Sequence, residues 1–205
     1  MSAAPPPAFD PALTLEGRHV RLEPLTRAHR AALARIAFEP DLWRWTLTRL
    51  HTPQDLDAWL DTALAWRDAG TAIPFATIER SSGRVIGSSR FANIDRQNRR
   101  LEIGWTWLGR EYHRKAFNTE AKLLMLGHAF ERMEMIRVEF RVVESNARSR
   151  TAVARLGAHQ EGILRHHQIA PDGRLLDWVY YSILREEWPE VRAGLEAKLA
   201  AHAPV

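Results

Sequence analysis

The sequence predicts an α/β fold in which a mixed sheet is covered by helices. Strand-like and helix-like segments alternate along the chain, with short turn signals between them. One strand, helix, strand unit indicates a parallel pair of strands joined by a right-handed crossover. Hydrophobic residues make up 45% of the 205 residues, which is enough to bury one sizeable core. We therefore expect one domain, over residues 13–195.

Both ends of the chain are expected to lie outside that domain. Pro5 to Pro7 and Pro11 oppose a regular hydrogen-bonded ladder, which predicts a flexible tail over residues 1–12. Residues 196–205 are expected to form a C-terminal tail. The first ten residues lack the basic start and apolar core of a signal peptide, and no apolar run approaches the roughly 18 residues of a membrane span. We expect a cytoplasmic protein with no membrane partner.

Composition limits the possible chemistry. The net charge of +4 suits an anionic ligand such as a phosphate ester, but a charge of this size does not imply nucleic acid. The absence of cysteine excludes a disulfide frame, a thiol nucleophile and a cysteine-ligated zinc. His166 and His167 are neighbours in one predicted strand and point to opposite faces, so they cannot both bind one metal. No metal site is expected.

The first predicted elements are a strand and two helices. Residues 18–25, RHVRLEPL, alternate polar and apolar side chains as a strand does, and a helix is expected over residues 27–38. A further helix over residues 52–70 has Thr52 as its N-cap and Pro53 at its first helical position. This second helix has the clearest start signal in the chain.

Three strands are predicted next. Residues 72–80 and 84–94 are expected to pair as an antiparallel hairpin, because Gly83 in the SSG turn between them can adopt a positive φ. Residues 101–108, LEIGWTWL, form the third strand. Simple alternation predicts that one face of it carries Leu101, Ile103, Trp105 and Trp107 and the other carries Glu102, Gly104 and Thr106.

The second half of the chain continues the alternation. A helix that begins near Thr119 and a strand over residues 136–143 complete the strand, helix, strand unit. A helix over residues 146–157 follows, and then strands over residues 160–169 and 175–184, with PDG as the hairpin turn between them.

The turn before the Thr119 helix is a candidate anion site. A turn between a strand end and a helix start presents unpaired backbone N–H groups and the positive end of the helix dipole. Arg110, His113, Arg114 and Lys115 add positive potential, which would suit a pyrophosphate. The alternative is a basic surface turn in front of a well-capped helix.

Four segments of the chain are informative together: LEGRHVRLEPLT, IGWTWLGREYHRKAFNTEAK, RVEFRVVESNARSRTAVARLGAHQEGILR and DWVYYSILREEW. In this order they resemble the GNAT N-acetyltransferase family, in the branch similar to ribosomal-protein N-terminal acetyltransferases. The resemblance implies a mixed, mostly antiparallel sheet of about seven strands with flanking helices. It also implies transfer of acetyl from acetyl-CoA, a co-substrate, to a primary amine such as a protein N-terminus.

The resemblance implies a binding site for the coenzyme at this turn, between two strands that separate. The family pattern there is Gln or Arg, two residues, Gly, one residue, then Gly or Ala, and the matching positions are His113, Ala116 and Asn118. Side chains at both glycine positions predict an altered turn that still binds. The coenzyme-binding residues implied by the resemblance are Trp107, Leu108, His113, Arg114, Lys115, Ala116, Phe117, Asn118, Thr119, Asn146 and Arg148.

Two residues are candidates for the proton transfers that the implied reaction requires. Glu102 is the candidate base, with a solvated carboxylate on an exposed strand face as the alternative. The 146–157 helix lacks the tyrosine that many family members place there, so Ser149 is the candidate acid. The alternative for Asn146 and Ser149 is helix capping alone. A backbone N–H near Trp107 would stabilise the oxyanion.

Trp43 and Trp45 match the region that forms a wall of the acceptor pocket in this family. Two other functions stay open at this point: a non-catalytic acyl-CoA binding protein of the same fold, and a basic nucleic-acid binding module. The second has little support because the basic residues are spread along the chain and no nucleic-acid motif is present. A homodimer is expected as one possible assembly, since dimers are frequent in the family.

Overall fold

The computed structural model describes residues 10–202, which form eight strands and six α-helices. The strands are β1 Leu15–Glu16, β2 Val20–Pro24, β3 Ile73–Glu79, β4 Val85–Asp95, β5 Arg100–Leu108, β6 Arg137–Val143, β7 His159–Ile169 and β8 Leu175–Leu184. The helices are α1 Arg30–Ala37, α2 Pro40–Trp43, α3 Pro53–Asp68, α4 Ala116–Gly127, α5 Ala147–Ala154 and α6 Trp188–Ala200.

The strands form one sheet in the order β1-β2-β3-β4-β5-β6-β8-β7. All neighbouring strands in this sheet are antiparallel except β5 and β6, which are parallel and flank α4. The α/β fold, the mostly antiparallel sheet and the parallel pair are thereby confirmed. The sheet has one strand more than the resemblance implied, because the two residues of β1 pair with β2.

Two cores lie on opposite faces of the sheet. On one face, here named the α4 face, α4 and α6 share a core that includes Phe91 and Leu101. On the other, named the α3 face, α1 and α3 cover a second core that includes Leu33 and Ile78. Within residues 10–202, no helix is long and apolar enough to cross a membrane.

A β-bulge in β5 changes which face its side chains reach. Ser88 of β4 pairs with Trp107, and Arg90 pairs with Gly104, so β5 holds one more residue than β4 between the two pairs. Trp105 takes up this residue with a φ of +49°. Trp107 therefore belongs to the core of the α3 face, whereas Leu101 and Ile103 belong to that of the α4 face. The prediction that all four share one face was wrong, because it assumed unbroken alternation.

The helix boundaries differ from the predictions mainly at α4. This helix begins at Ala116 and not near Thr119, since Lys115 already occupies the N-cap position. The α3 start is confirmed: the Thr52 side chain accepts the Asp55 N–H, and Pro53 is the first helical residue. The boundary expected at residue 195 falls inside α6, and Pro5 to Pro7 lie outside the described residues.

Glu120 fixes α4 to the turn between β1 and β2. Its carboxylate is buried and accepts the backbone N–H groups of Arg18, His19 and Val20 at 2.8, 2.6 and 2.7 Å. Gly17 leaves room for it, since a Cβ at that position would overlap the Glu120 carboxyl group. The start of α4 is therefore held at a defined place beside the sheet.

Candidate active site

A cleft opens between β5 and β6. The two strands pair only at Arg100 with Arg137, Leu101 with Val138 and Glu102 with Glu139. Beyond these pairs β5 remains bonded to β4 as far as Leu108, and β6 remains bonded to β8 as far as Val143. The edges that face each other therefore separate. Within the described residues these edges do not pair with each other beyond the three positions, so their backbone N–H and C=O groups can bind a ligand.

The start of α4 is an uncapped helix N-terminus. Lys115 is its N-cap, no side chain accepts a hydrogen bond there, and the first turn contains no acidic residue. The N–H groups of the first turn and the helix dipole therefore favour an anion at this position. The positive φ in the preceding turn falls on Arg114, at +60°. Ala116 and Asn118 have ordinary helical backbones, which explains how both glycine positions accept side chains.

The basic residues of the turn differ in whether their side chains already have a bonding partner. Nε2 of His113 lies 2.9 Å from the carbonyl oxygen of Leu108, so the ring ties the turn to the strand end. Arg114 and Lys115 are exposed, and within residues 10–202 neither forms an ion pair. Two cations therefore remain available for a phosphate. The Phe117 side chain is buried in the core, so only its backbone can serve the site.

The start of α5 lies across the cleft from β5. The Asn146 side chain accepts the Ser149 N–H at 3.1 Å and donates to the Trp45 carbonyl at 3.2 Å. Asn146 is therefore an N-cap, as the capping alternative expected, and it also joins the Trp45 loop to this helix. The Ser149 hydroxyl makes no hydrogen bond to the described residues, and Arg148 is exposed.

Glu102 is a buried carboxylate on the α3 face. Only 4% of it is exposed, so the alternative of a solvated carboxylate is wrong. Its Oε2 accepts hydrogen bonds from Nδ2 of Asn93 and Nε of Arg141, both at 2.7 Å. Burial acts to lower the pKa of Arg141, but the Glu102 carboxylate outweighs it and the pKa is raised. Among the described residues no group donates to Oε1.

The tryptophans of the α3 face take different positions. Trp43 is buried, and its indole donates to the Ala37 carbonyl at 2.6 Å, so it packs in the core and does not face open space. Trp45 is 41% exposed and stacks under Arg44. Of the two expected pocket residues, only Trp45 presents its ring to solvent.

Two buried cations, Arg90 and Lys122, were not predicted from the sequence. Arg90 is 1% exposed, and its guanidinium lies 5.2 to 5.4 Å from the ring centres of Trp59, Trp66 and Trp105. Burial lowers the pKa of Arg90 to about 10. Lys122 of α4 is 5% exposed, and burial lowers its pKa to about 7. Basic residues are normally exposed, so neither had a sequence signal.

The arrangement combines the parts needed for acyl transfer. The cleft offers an anion site at one end, exposed cations beside it, and a carboxylate with one free oxygen on the opposite face of the sheet. These residues fit a long, anionic thioester such as an acyl-CoA.

Comparisons with known proteins agree with this geometry. A family model described as an acetyltransferase (GNAT) domain matches residues 19–159. An uncharacterised N-acetyltransferase, p20, of Bacillus licheniformis is 34% identical over 119 residues, which cover 58% of this chain and 66% of that protein. The provisionally named ribosomal N-acetyltransferase YdaF of Bacillus subtilis is 35% identical over 106 residues, which cover 52% of this chain and 57% of that protein. The chain thus spans less than two thirds of the length of either relative.

A crystal structure supports the same relationship over nearly the whole chain. A GCN5-related N-acetyltransferase from Brucella melitensis is 30% identical and superposes with a TM-score of 0.88. The match covers 97% of this chain and 90% of that one. Because the family model covers more than half of the sequence, and the sheet and helices match as well, the chain belongs to the GNAT acetyltransferase family.

Proposed function

We propose that this protein transfers an acetyl group from acetyl-CoA to a primary amine. The observation that carries the proposal is the cleft between β5 and β6, which opens toward the uncapped N-terminus of α4. A pyrophosphate bound to the first turn of α4 would place the arm of the coenzyme in the cleft. The exposed Arg114 and Lys115 would balance its charge.

Different residues around the cleft would bind different parts of the coenzyme. Backbone groups of Trp107 and Leu108 would bond to the pantetheine arm, and those of Ala116, Phe117, Asn118 and Thr119 would bond to the pyrophosphate. His113 would hold the turn in place, while Asn146 and Arg148 would bind the coenzyme from the other side of the cleft. Acetyl-CoA supplies the activated acetyl group, the acceptor supplies the amine, and the binding residues named here belong to this chain.

Glu102 is the proposed base. Asn93 and Arg141 occupy its Oε2, which leaves Oε1 to accept a proton from the attacking amine, directly or through water. A backbone N–H near Trp107, on the unpaired edge of β5, would stabilise the oxyanion. The Ser149 hydroxyl is one candidate for protonating the departing thiol.

A protein N-terminus is the proposed acceptor. The similarity to YdaF, a provisionally named ribosomal N-acetyltransferase, supports it. The exposed Trp45, held to α5 through Asn146, would form one wall of the acceptor pocket.

We also propose a cytoplasmic location and a homodimer. The exposed edge strand β7, with Ile163 and Leu164 on it, offers a surface for the dimer, and size-exclusion chromatography with light scattering tests it.

The first experiment is calorimetric titration of the protein with acetyl-CoA, with free CoA and ATP as comparison ligands. We expect micromolar binding of both CoA forms, which corresponds to about 8 kcal/mol. Lys115→Glu should weaken this binding at least about tenfold by placing an anion beside the pyrophosphate. Arg35→Glu, an equal charge change at an exposed position of α1, is the matched control.

Turnover is then measured as thiol release with a panel of short peptides and small amines. Binding without turnover on any amine would favour the non-catalytic acyl-CoA binding protein. Absence of binding would remove the proposed function altogether, and the shared fold would then say little about activity.

A further inference from the structure

A buried lysine is connected to the cleft through one exposed hydroxyl. Nζ of Lys122 lies 2.6 Å from Oγ1 of Thr106 and 3.0 Å from Oγ of Ser89. Oγ of Ser89 lies 2.7 Å from Oγ1 of Thr106, so the three groups form a closed triangle. Lys122 and Ser89 are buried, whereas Thr106 is exposed, on the part of β5 that has separated from β6.

The bulge at Trp105 places Thr106 in this position. Without the extra residue, Thr106 would point to the α3 face, as simple alternation predicts. With it, Thr106 points to the α4 face and meets Lys122 beside the cleft. The bulge therefore joins a residue of the cleft to a buried cation of the core.

The hydrogen bonds of the triangle leave one hydrogen free. A hydroxyl accepts two hydrogen bonds and donates one. The Lys122 ammonium donates to Thr106, and the Ser89 hydroxyl can donate as well, which fills both acceptor positions of Oγ1. When Ser89 donates, the Thr106 hydrogen points away from both; the reverse arrangement would leave the spare hydrogen on the buried Ser89 hydroxyl. The one other acceptor for the Thr106 hydrogen among the described residues is the Gly104 carbonyl at 3.5 Å, which is long for a hydrogen bond between oxygens.

Within residues 10–202, Lys122 forms no ion pair with a carboxylate. Titratable groups on the elements around it include Glu120 of α4, His128 directly after α4, Arg90 and Glu102 of the sheet, and Arg18 and His19 of the β1–β2 turn. Glu120 is fully engaged by three backbone N–H groups, and His128 stacks on Phe91. Arg90 and Glu102 lie on the opposite face of the sheet. Burial alone therefore lowers the pKa of Lys122 to about 7, which suits a proton donor at neutral pH.

We propose that the Thr106 hydroxyl protonates the sulfur of the departing thiol and that Lys122 is the positioning residue that replaces the proton. This inference rests on the proposed acetyl transfer. The C–N bond to the acceptor forms first and gives the oxyanion; the C–S bond then breaks, and its electron pair goes to sulfur. Sulfur takes the Thr106 hydroxyl proton, and Thr106 takes one from the Lys122 ammonium.

Proton balance is restored within one turnover. Lys122 is left as a neutral amine, and the attacking nitrogen loses its extra proton to Glu102 or to water. After the thiol departs, Thr106 is open to solvent again, takes a proton from water and passes its own proton to Lys122. Ser149 is less suited to this role, because within residues 10–202 its hydroxyl contacts no group that could replace its proton.

The test uses free CoA and needs no acceptor. The pKa of the CoA thiol is measured in the bound complex from the ultraviolet absorbance of the thiolate as pH is raised. Lys122 is already neutral at the pH where a thiol ionises, but it still occupies an acceptor position of Oγ1 and so directs the Thr106 hydrogen toward the sulfur. A hydroxyl that donates to sulfur favours the thiolate, so we expect the pKa of the bound thiol to be lower than that of free CoA by about one unit or more. Thr106→Val and Lys122→Met should each abolish this shift, whereas Thr106→Ser should preserve it. Thr62→Val, which removes an exposed hydroxyl of α3, is the matched control.

The outcomes separate this inference from the proposed function. If calorimetry shows no CoA binding, both are refuted. If CoA binds but the pKa of its thiol is the same in the wild type and Thr106→Val, only the proton relay is refuted. Loss of the shift in Ser149→Ala, with the shift intact in Thr106→Val, would assign the role to Ser149. Thermal unfolding of each variant with free CoA present shows whether the variant is folded and binds.

Discussion

Glu120→Gln should lower the free energy of unfolding by about 3 kcal/mol. The Glu120 carboxylate accepts three backbone N–H groups: Oε1 bonds to Arg18 at 2.8 Å, and Oε2 bonds to His19 and Val20 at 2.6 and 2.7 Å. A hydrogen bond to a charged acceptor contributes about 1.5–3 kcal/mol, and one between neutral groups about 1 kcal/mol. Glutamine can keep the His19 and Val20 bonds only in the weaker neutral form. Its amide nitrogen would then face the Arg18 N–H, donor against donor.

The assay is urea unfolding followed by circular dichroism, with Glu196→Gln as the control. Glu196 is an exposed residue of α6 that pairs with Arg192 on the same helix, so its neutralisation should change stability by less than about 0.5 kcal/mol. The loss in Glu120→Gln should also appear as a fall in Tm of about 6–12 °C for a domain of this size. A Glu120→Gln protein as stable as the control would show that these three bonds are exchanged for water at no cost, which would refute the reasoning.

Three further perturbations test the site and the surface. Asn118→Asp should weaken CoA binding at least about tenfold by placing a negative charge in the first turn of α4, and calorimetry showing unchanged affinity would mean that the pyrophosphate lies elsewhere; Asn98→Asp in the exposed β4–β5 turn is its control. Glu102→Gln should lower turnover about a hundredfold at neutral pH and less at high pH, where the amine is already deprotonated; an equal loss across the pH–rate profile would remove Glu102 as the base. The hydrogen bond from Arg137 lowers the pKa of Glu161 to about 2 from an ordinary 4.5, so this group stabilises the fold above pH 4.5 and the contribution disappears as pH falls toward 2. Because Glu161 is largely exposed, screening limits this contribution to about 1 kcal/mol, and acid titrations of wild type and Glu161→Gln that coincide would show that it is absent.

The order of strands and helices could be predicted because each has a local cause. The α3 helix, for example, follows from a threonine N-cap and a proline in its first turn, which act within a few residues of one another. The α4 start was placed three residues too late because Thr119 looks like a capping residue. In the structure the turn ends earlier: Arg114 adopts a positive φ, Lys115 is the N-cap, and Thr119 already lies inside the helix.

The side-chain geometry of the site could not be predicted because it depends on the bulge at Trp105. Gly104 is the one signal in LEIGWTWL, because an isolated glycine inside a strand often marks a bulge, but simple alternation ignores it. A shift of one residue exchanges the two faces. The faces of Trp107 and Thr106 were therefore assigned incorrectly. The burial of Lys122 depends on the same shift, because Thr106 is one of its two hydrogen-bond partners.

The bonds between Glu120 and the β1–β2 turn also govern the order in which the chain can assemble. They join residues that lie 100 to 102 positions apart in the sequence. At about 5–20 residues per second of synthesis, the turn waits about 5 to 20 seconds for its partner to be synthesised. During that time its N–H groups are bonded to water, and the short β1–β2 pair has little stability of its own. The N-terminal edge of the sheet and the helix of the anion site therefore reach their final form together.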